Sequence, residues 1–199
     1  MVVYDRLSTD GWCGAWILDR CFNGVQLVPF DLSMNTPVID GRTVFFVSIG
    51  FSRDQVEDIN QYAHRAIIFD HHNPAKNFRG LDCCVIDTSR SSSVLALDWC
   101  NYNGYLDNYT GVGNNNNRDV ATGMVSIAKY VQDKELGNYR LPNSKLINLC
   151  IDSYSCDLKQ WDMLARKASV NPEAMTVDGI AIDRYLSKMG IRHDSPEQG

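Results

Sequence analysis

Three side chains able to bind a metal or move a proton stand together in Asp70-His71-His72, at the end of the apolar run Ala66-Ile67-Ile68-Phe69 and just before Asn73-Pro74. Adjacent histidines beside an aspartate also occur as an ordinary polar strand end, so the triplet alone leaves both readings open. Hydrolysis of a phosphate ester asks for more. It needs hard oxygen ligands for Mg²⁺ or Mn²⁺, usually shared by two ions, so that one prepares a water and both neutralise phosphoryl charge. Further donors are Asp5 and Asp10 after the first apolar run and Asp133 beyond an Asn-rich segment. They are far apart in sequence and are expected to converge along one sheet edge.

The elements that must position them alternate. Val2-Val3-Tyr4 reads as a strand, Asp5 to Gly11 as a polar loop and Trp12 to Phe22 as a helix. Val25 to Phe30, Thr43 to Ile49, Ala66 to Phe69 and Leu81 to Ile86 are further strands, with a helix from about Arg53 to Ala63 opened by Ser52 and another headed by Ser91-Ser92-Ser93. Ile67, Ile68 and Phe69 form the short continuous run of a strand covered on both faces. Strands alternating with helices predict an α/β fold: a mainly parallel sheet flanked by helices, with ligands gathered at the carboxyl ends of the strands. Asn101 to Arg118, rich in Gly and Asn, reads as a flexible connection or a substrate-contacting loop. Beyond it Asp119–Asp133, Ser144–Cys156, Leu158–Ser169 and Pro172–Met189 read as helices. The expected organisation is an α/β core over 1–113, a helical extension over 114–192 and a loose tail over 193–199.

Composition narrows the function classes. The 199 residues are 44% hydrophobic and 22% charged, enough for a well-cored globular chain. A net charge of -5 argues against gripping a long nucleic-acid backbone, though not against a short oligonucleotide held at a metal site. Seven cysteines, without a Cys-x-x-Cys pair and without a leader, suggest free thiols and a cytoplasmic setting. Cys83 and Cys84 are expected to face opposite sides of a strand. No apolar segment approaches the length of a membrane helix, so a soluble protein with no membrane partner is expected. Phosphate-binding Gly-rich loops are missing, and Cys13 has no local histidine to activate it and reads as a buried thiol. Trp99 and Trp161 read as core, His64 and His193 as surface.

Taken in order, Ser8-Thr9-Asp10-Gly11-Trp12-Cys13-Gly14-Ala15-Trp16, Val44 to Ser52, Phe69-Asp70-His71-His72, the Ser-rich helix start at Ser91, Tyr130 to Leu136 and Leu141-Pro142-Asn143-Ser144 resemble the DHH phosphoesterase family. The resemblance implies a Mn²⁺- or Mg²⁺-dependent hydrolase, with one or two ions, of phosphodiesters or phosphoanhydrides in small nucleotides or short oligonucleotides. It implies that Asp10, His71 and Asp133 serve one metal, that His72 approaches the phosphate and that Asp70 orients its neighbours or lies close to the ions. Ser91, Ser92 and Ser93 would offer hydroxyls and helix-start amides to a phosphate, or simply cap the helix. Arg90, Arg118 and Arg140 are candidate phosphate contacts, or solvated surface charges.

The chain departs from the family pattern in three places. Asp5 stands where relatives usually carry a histidine, and Ser8 where many carry the first loop aspartate. Ser48, after the Val-rich strand, occupies the position of the aspartate that bridges two ions, and a neutral hydroxyl is a far weaker ligand. Three readings follow: a hydrolase with an altered metal site in which Asp5 substitutes as ligand, a nucleotide-binding or sequestering protein without turnover, or an enzyme carrying an Asp-to-Ser replacement. The resemblance is to a short form without the family's glycine-rich substrate domain. Substrate would then be held by the helical extension, the Asn101–Arg118 loop or a partner subunit, homo-oligomers included.

Overall fold

Short β-branched and aromatic runs become five strands, β1 (Val2–Asp5), β2 (Leu27–Phe30), β3 (Thr43–Val47), β4 (Arg65–Asp70) and β5 (Cys84–Ile86), all paired in parallel. The structure is a computed structural model that describes residues 1–110 and 115–191, and its contacts divide the chain into units Met1–Asn114 and Asn115–Gly199.

In the first unit the strand order is β2-β1-β3-β4-β5. The chain goes from β1 outward to β2, then returns past β1 to build β3, β4 and β5. The order therefore reverses between β1 and β3, the place where an open α/β sheet forms a crevice at its carboxyl edge. Parallel register sets Tyr4 beside Val47 and Val47 beside Phe69, so Asp5, Ser48 and Asp70 follow at neighbouring strand ends.

Alternation along each strand builds two cores. Val3, Phe46 and Ile68 pack with Val56 and Ile59 of α2 (Arg53–Tyr62). The opposite residues, Phe45 and Phe69, meet Trp99 of α3 (Ser92–Tyr102) edge-on at 5.6 and 5.8 Å, and Phe45 meets Phe22 of α1 (Thr9–Phe22) at 5.0 Å. Two glycines let α1 lie close. A Cβ on Gly11 would stand 2.5 Å from the Asp5 carbonyl oxygen, and one on Gly14 would stand 2.5 Å from Val47 Cγ1.

Several boundaries differ from the sequence reading. α1 begins at Thr9 rather than Trp12, because Ser8 Oγ accepts the Asp10 and Gly11 amides as an N-cap. Asp10 thus sits in a helical first turn. β3 stops at Val47 rather than Ile49, since Ser48 turns to φ 59°. The stretch Asn101–Arg118 is largely helical, with the end of α3, α4 (Tyr105–Thr110) and the start of α5 (Asn115–Glu135); residues 111–114 lie outside the described residues. Composition suggested a loop there, but Tyr105 stacks against Trp99 and Phe22, a tertiary anchor that local propensity does not register. Cys83 precedes β5, so strand alternation does not apply to it, and its sulfur lies 3.6 Å from that of Cys84 instead of across the sheet.

The second unit is helical. α5 packs against α7 (Leu158–Val170), and α6 (Ser144–Asp152) against α8 (Thr176–Lys188), around Met124, Ile127, Val131, Ile147, Trp161 and Leu164. The helix expected to reach Cys156 ends at Asp152, and Asp157 caps the next one through the Gln160 amide. The expected helix from Pro172 divides into a 3₁₀ turn, Pro172–Met175, and α8. His193–Gly199, read as a loose tail, lies outside the described residues. Among the described residues no helix is long and apolar enough to cross a membrane.

Candidate metal centre at the strand ends

β4 delivers Asp70 to the carboxyl edge of the sheet, where the residue is buried. Its Oδ1 lies 2.6 Å from His72 Nδ1, while Oδ2 is buried with no hydrogen-bond partner among the described residues. Leaving a buried carboxylate oxygen unpaired costs more than about 1–3 kcal/mol, so the position has an unmet demand for a donor or a cation. His71 and His72 stack at 4.5 Å between ring centroids. One ligand atom from each of Asp70, His71 and His72 lies within 4.8 Å of the others, one carboxylate oxygen and two ring nitrogens. That donor set fits a divalent ion, and its two imidazoles suit Mn²⁺ better than the strongly oxygen-preferring Mg²⁺.

The neighbourhood fixes the imidazoles. With His72 Nδ1–H donating to Asp70, its Nε2 carries the lone pair. His71 Nδ1 is 3.0 Å from Ser92 Oγ and 3.7 Å from Asp10 Oδ2, which turns the other ring nitrogen away from them. Burial is the main cause holding His71 below the ordinary imidazole value; Asp10 and Asp70 oppose it and His72 adds to it. The neutral ring, the form a metal binds, is therefore favoured.

Asp10 is wholly buried behind His71. Its Oδ2 accepts the Ser92 amide at 2.8 Å, and its Oδ1 accepts the Ser93 amide at 3.0 Å together with the Ser93 hydroxyl. The anion at the start of α3 is thus the chain's own carboxylate. Ser91 Oγ caps the helix by accepting the Val94 amide, all three serines are buried, and Arg90 pairs with Asp98.

A cavity of about 400 Å³ opens at the switch point between β1 and β3, lined by Asp5, Leu7, Asp31, Leu32, Ser48, Ile49, Gly50 and His72. Its volume is in the range of small-molecule sites. Asp5, Ser48 and His72 were expected at a site from the sequence. Asp31 was not, although it follows β2 as Asp5 follows β1, which was the signal available. Arg6 Nε donates to Asp31 at 2.5 Å, and the Ser33 hydroxyl and amide, then Arg6, hold the Asp31 carboxyl below the usual range. Ser48 is buried, its Oγ is without a partner among the described residues, and φ of 59° puts it in the left-handed region, where Asn and Asp are enriched.

No protein-family model, curated protein or solved structure matches this chain. The site therefore rests on its own geometry.

Asp133 belongs to the helical unit. Its carboxylate accepts the Arg140 and Leu141 amides, each at 3.0 Å. Burial pushes its pKa up, but the Ser144 hydroxyl, the two amides and the Arg140 charge together hold it below the usual value. Arg118 and Arg140 are exposed. The group that the structure brings together among the described residues is Asp70, His71 and His72, with Asp10 behind and Asp5 and Ser48 along the cavity.

Proposed function

We propose that this chain is a metal-dependent phosphoesterase of the DHH type, acting on phosphodiester or phosphoanhydride bonds of small nucleotides or short oligonucleotides. The observation that carries the reading is the buried, unpartnered Asp70 Oδ2 beside two stacked histidines at the carboxyl edge of a parallel sheet. Asp70, His71 and His72 would hold Mn²⁺ or Mg²⁺. A bound ion would supply an activated water and neutralise phosphoryl charge.

The chain's own groups prepare that site. Ser92 and Asp10 hold His71 in orientation, and Asp70 fixes the tautomer of His72, whose ring borders the cavity. Asp5 and Asp31 make the cavity acidic, so an anionic substrate entering it needs a cation to offset the repulsion. Unpaired cysteines throughout the chain are in keeping with the reducing compartment proposed for it, the cytoplasm.

One observation favours a second reading. Ser48 offers a neutral hydroxyl where the resemblance places the bridging carboxylate, which suits a nucleotide-binding or sequestering protein without turnover. Hydrolysis of pApA with Mn²⁺, by the wild type and by Ser48→Asp, separates the two. The phosphoesterase reading expects Mn²⁺-dependent cleavage that rises in Ser48→Asp. Absence of turnover and of metal binding in both proteins overturns it, and nucleotide binding indifferent to EDTA selects the sequestering reading.

A further inference from the structure

Two sulfurs lie together at the edge of the sheet, in a place the phosphoesterase reading does not use. Cys83 and Cys84 introduce β5, which pairs with β4 alone, and both are partly exposed. Their Sγ atoms are 3.6 Å apart. Asn60, on α2, donates its side-chain amide to Cys83 Sγ at 3.1 Å. The Cys83 carbonyl accepts the Ile68 amide at 2.8 Å, which ties the backbone of the pair to β4.

The other cysteines differ. Cys13, Cys21, Cys100 and Cys150 are buried. Burial pushes the Cys13, Cys150 and Cys156 thiols up, including the exposed Cys156. Cys21 and Cys100 also neighbour each other, but both lie in the core, away from a water-borne reagent.

We propose that Cys83 and Cys84 form a modification site for hydroperoxides, in which Cys83 is the attacking sulfur nucleophile and Cys84 the resolving thiol that closes a vicinal disulfide. The Asn60 N–H donates to the Cys83 sulfur, and the Cys84 sulfur lies 3.6 Å away, where its S–H can donate once Cys83 is ionised, so a thiolate at Cys83 has two groups to stabilise it. In keeping with that geometry the Cys83 thiol is pulled down to about 6, chiefly by the Cys84 hydrogen bond, with burial opposing and Asn60 adding; the Cys84 thiol is pushed up correspondingly.

The chemistry balances in two steps. The Cys83 thiolate attacks the terminal oxygen of the hydroperoxide, the O–O bond breaks, and the departing alkoxide, or hydroxide from hydrogen peroxide, takes a proton and leaves as alcohol or water, giving Cys83 sulfenic acid. The Cys84 sulfur then attacks the Cys83 sulfur. The S–S bond forms as the S–O bond breaks, and the hydroxyl leaves as water with the Cys84 proton. The hydroperoxide is reduced by two electrons and the thiol pair is oxidised by two.

The test uses the full chain and hydrogen peroxide. Peptide mass spectrometry without reductant is expected to show the Cys83–Cys84 peptide lighter by two hydrogens before Cys156 is altered. In Cys84→Ser the sulfenic acid should persist and be trapped by dimedone at position 83. Iodoacetamide labelling of the unmutated protein gives an independent reading. A thiol whose pKa is lowered by hydrogen-bond donors holds more thiolate at pH 7 than an ordinary one, so Cys83 should react first, and Asn60→Leu should slow it several-fold while leaving Cys156 unchanged. The proposal is overturned if Cys156 is labelled ahead of Cys83, or if the Cys83–Cys84 peptide keeps both thiols while Cys156 is oxidised. Absence of a dimedone adduct in Cys84→Ser also overturns it.

Discussion

Asp10 and Asp70 are both buried aspartates beside the same pair of histidines, and the protein solvates them in opposite ways. Asp10 receives two amides and a hydroxyl from the first turn of α3, so its charge is met by protein dipoles. Asp70 receives an imidazole on one oxygen and nothing among the described residues on the other. The difference separates two jobs that look identical in sequence. A carboxylate already saturated by fixed donors ties elements together and orients a neighbour, whereas one with an open buried oxygen is prepared for something that arrives from outside. Asp133 follows the Asp10 pattern within the helical unit, with the loop amides of Arg140 and Leu141 as its donors.

The largest expected effect is at Asp10. Asp10→Ala strands the amides of Ser92 and Ser93 in a buried place and should lower stability by about 3 kcal/mol in urea unfolding. A change under about 1 kcal/mol would mean that Asp10 is not the anchor of α3. Asp133→Asn should cost about 1–2 kcal/mol near neutral pH, with a pH signature. Because the folded pKa lies below the ordinary carboxylate value of 3.8, the native state holds fewer protons than the unfolded chain between the two values, so stability rises with pH there. The contribution is fully present above about 3.8 and is lost as pH falls through the folded value, so the gap between wild type and Asp133→Asn should close on acidification. A gap that stays constant down to pH 3 would contradict the assigned hydrogen bonds.

Ser48→Gly should stabilise by about 1 kcal/mol, since it removes both a buried unpartnered hydroxyl and a left-handed non-glycine residue. A loss of stability would show that the hydroxyl has a partner in solution. The smallest effect is the most telling for the comparison. In the presence of EDTA, Asp70→Asn should not lower the unfolding midpoint, because it removes a buried charge of which one oxygen has no donor among the described residues.

Much of the scaffold was legible in the residues. Ala66 to Phe69 is apolar on every position because β4 is covered on both faces, and Ser52 with Gln55 forms the reciprocal capping box that opens α2. Candidate ligands were recognisable by type and by their place after strands, as at Asp5 and Asp70. What was not legible depended on contacts between distant segments. The start of α1 was misplaced because the Ser8 hydroxyl spends itself as a cap, and the helix at Tyr105 is held by stacking on Trp99 and Phe22. The destination of the α3 amides could not be read from Ser91-Ser92-Ser93, since a phosphate and an aspartate 82 residues away satisfy the same donors. Nor could the nearness of the Cys83 and Cys84 sulfurs, which follows from β5 starting at Cys84 rather than at Leu81.

The account stands or falls most directly on Asp70 and a metal ion. Calorimetric titration of Mn²⁺ into the chelator-stripped wild type and into Asp70→Asn measures it. The account predicts saturable binding of at least one ion to the wild type, weakened about 100-fold or lost in Asp70→Asn while that variant keeps its unfolding midpoint. Equal binding by both proteins, or none by the wild type, would contradict it.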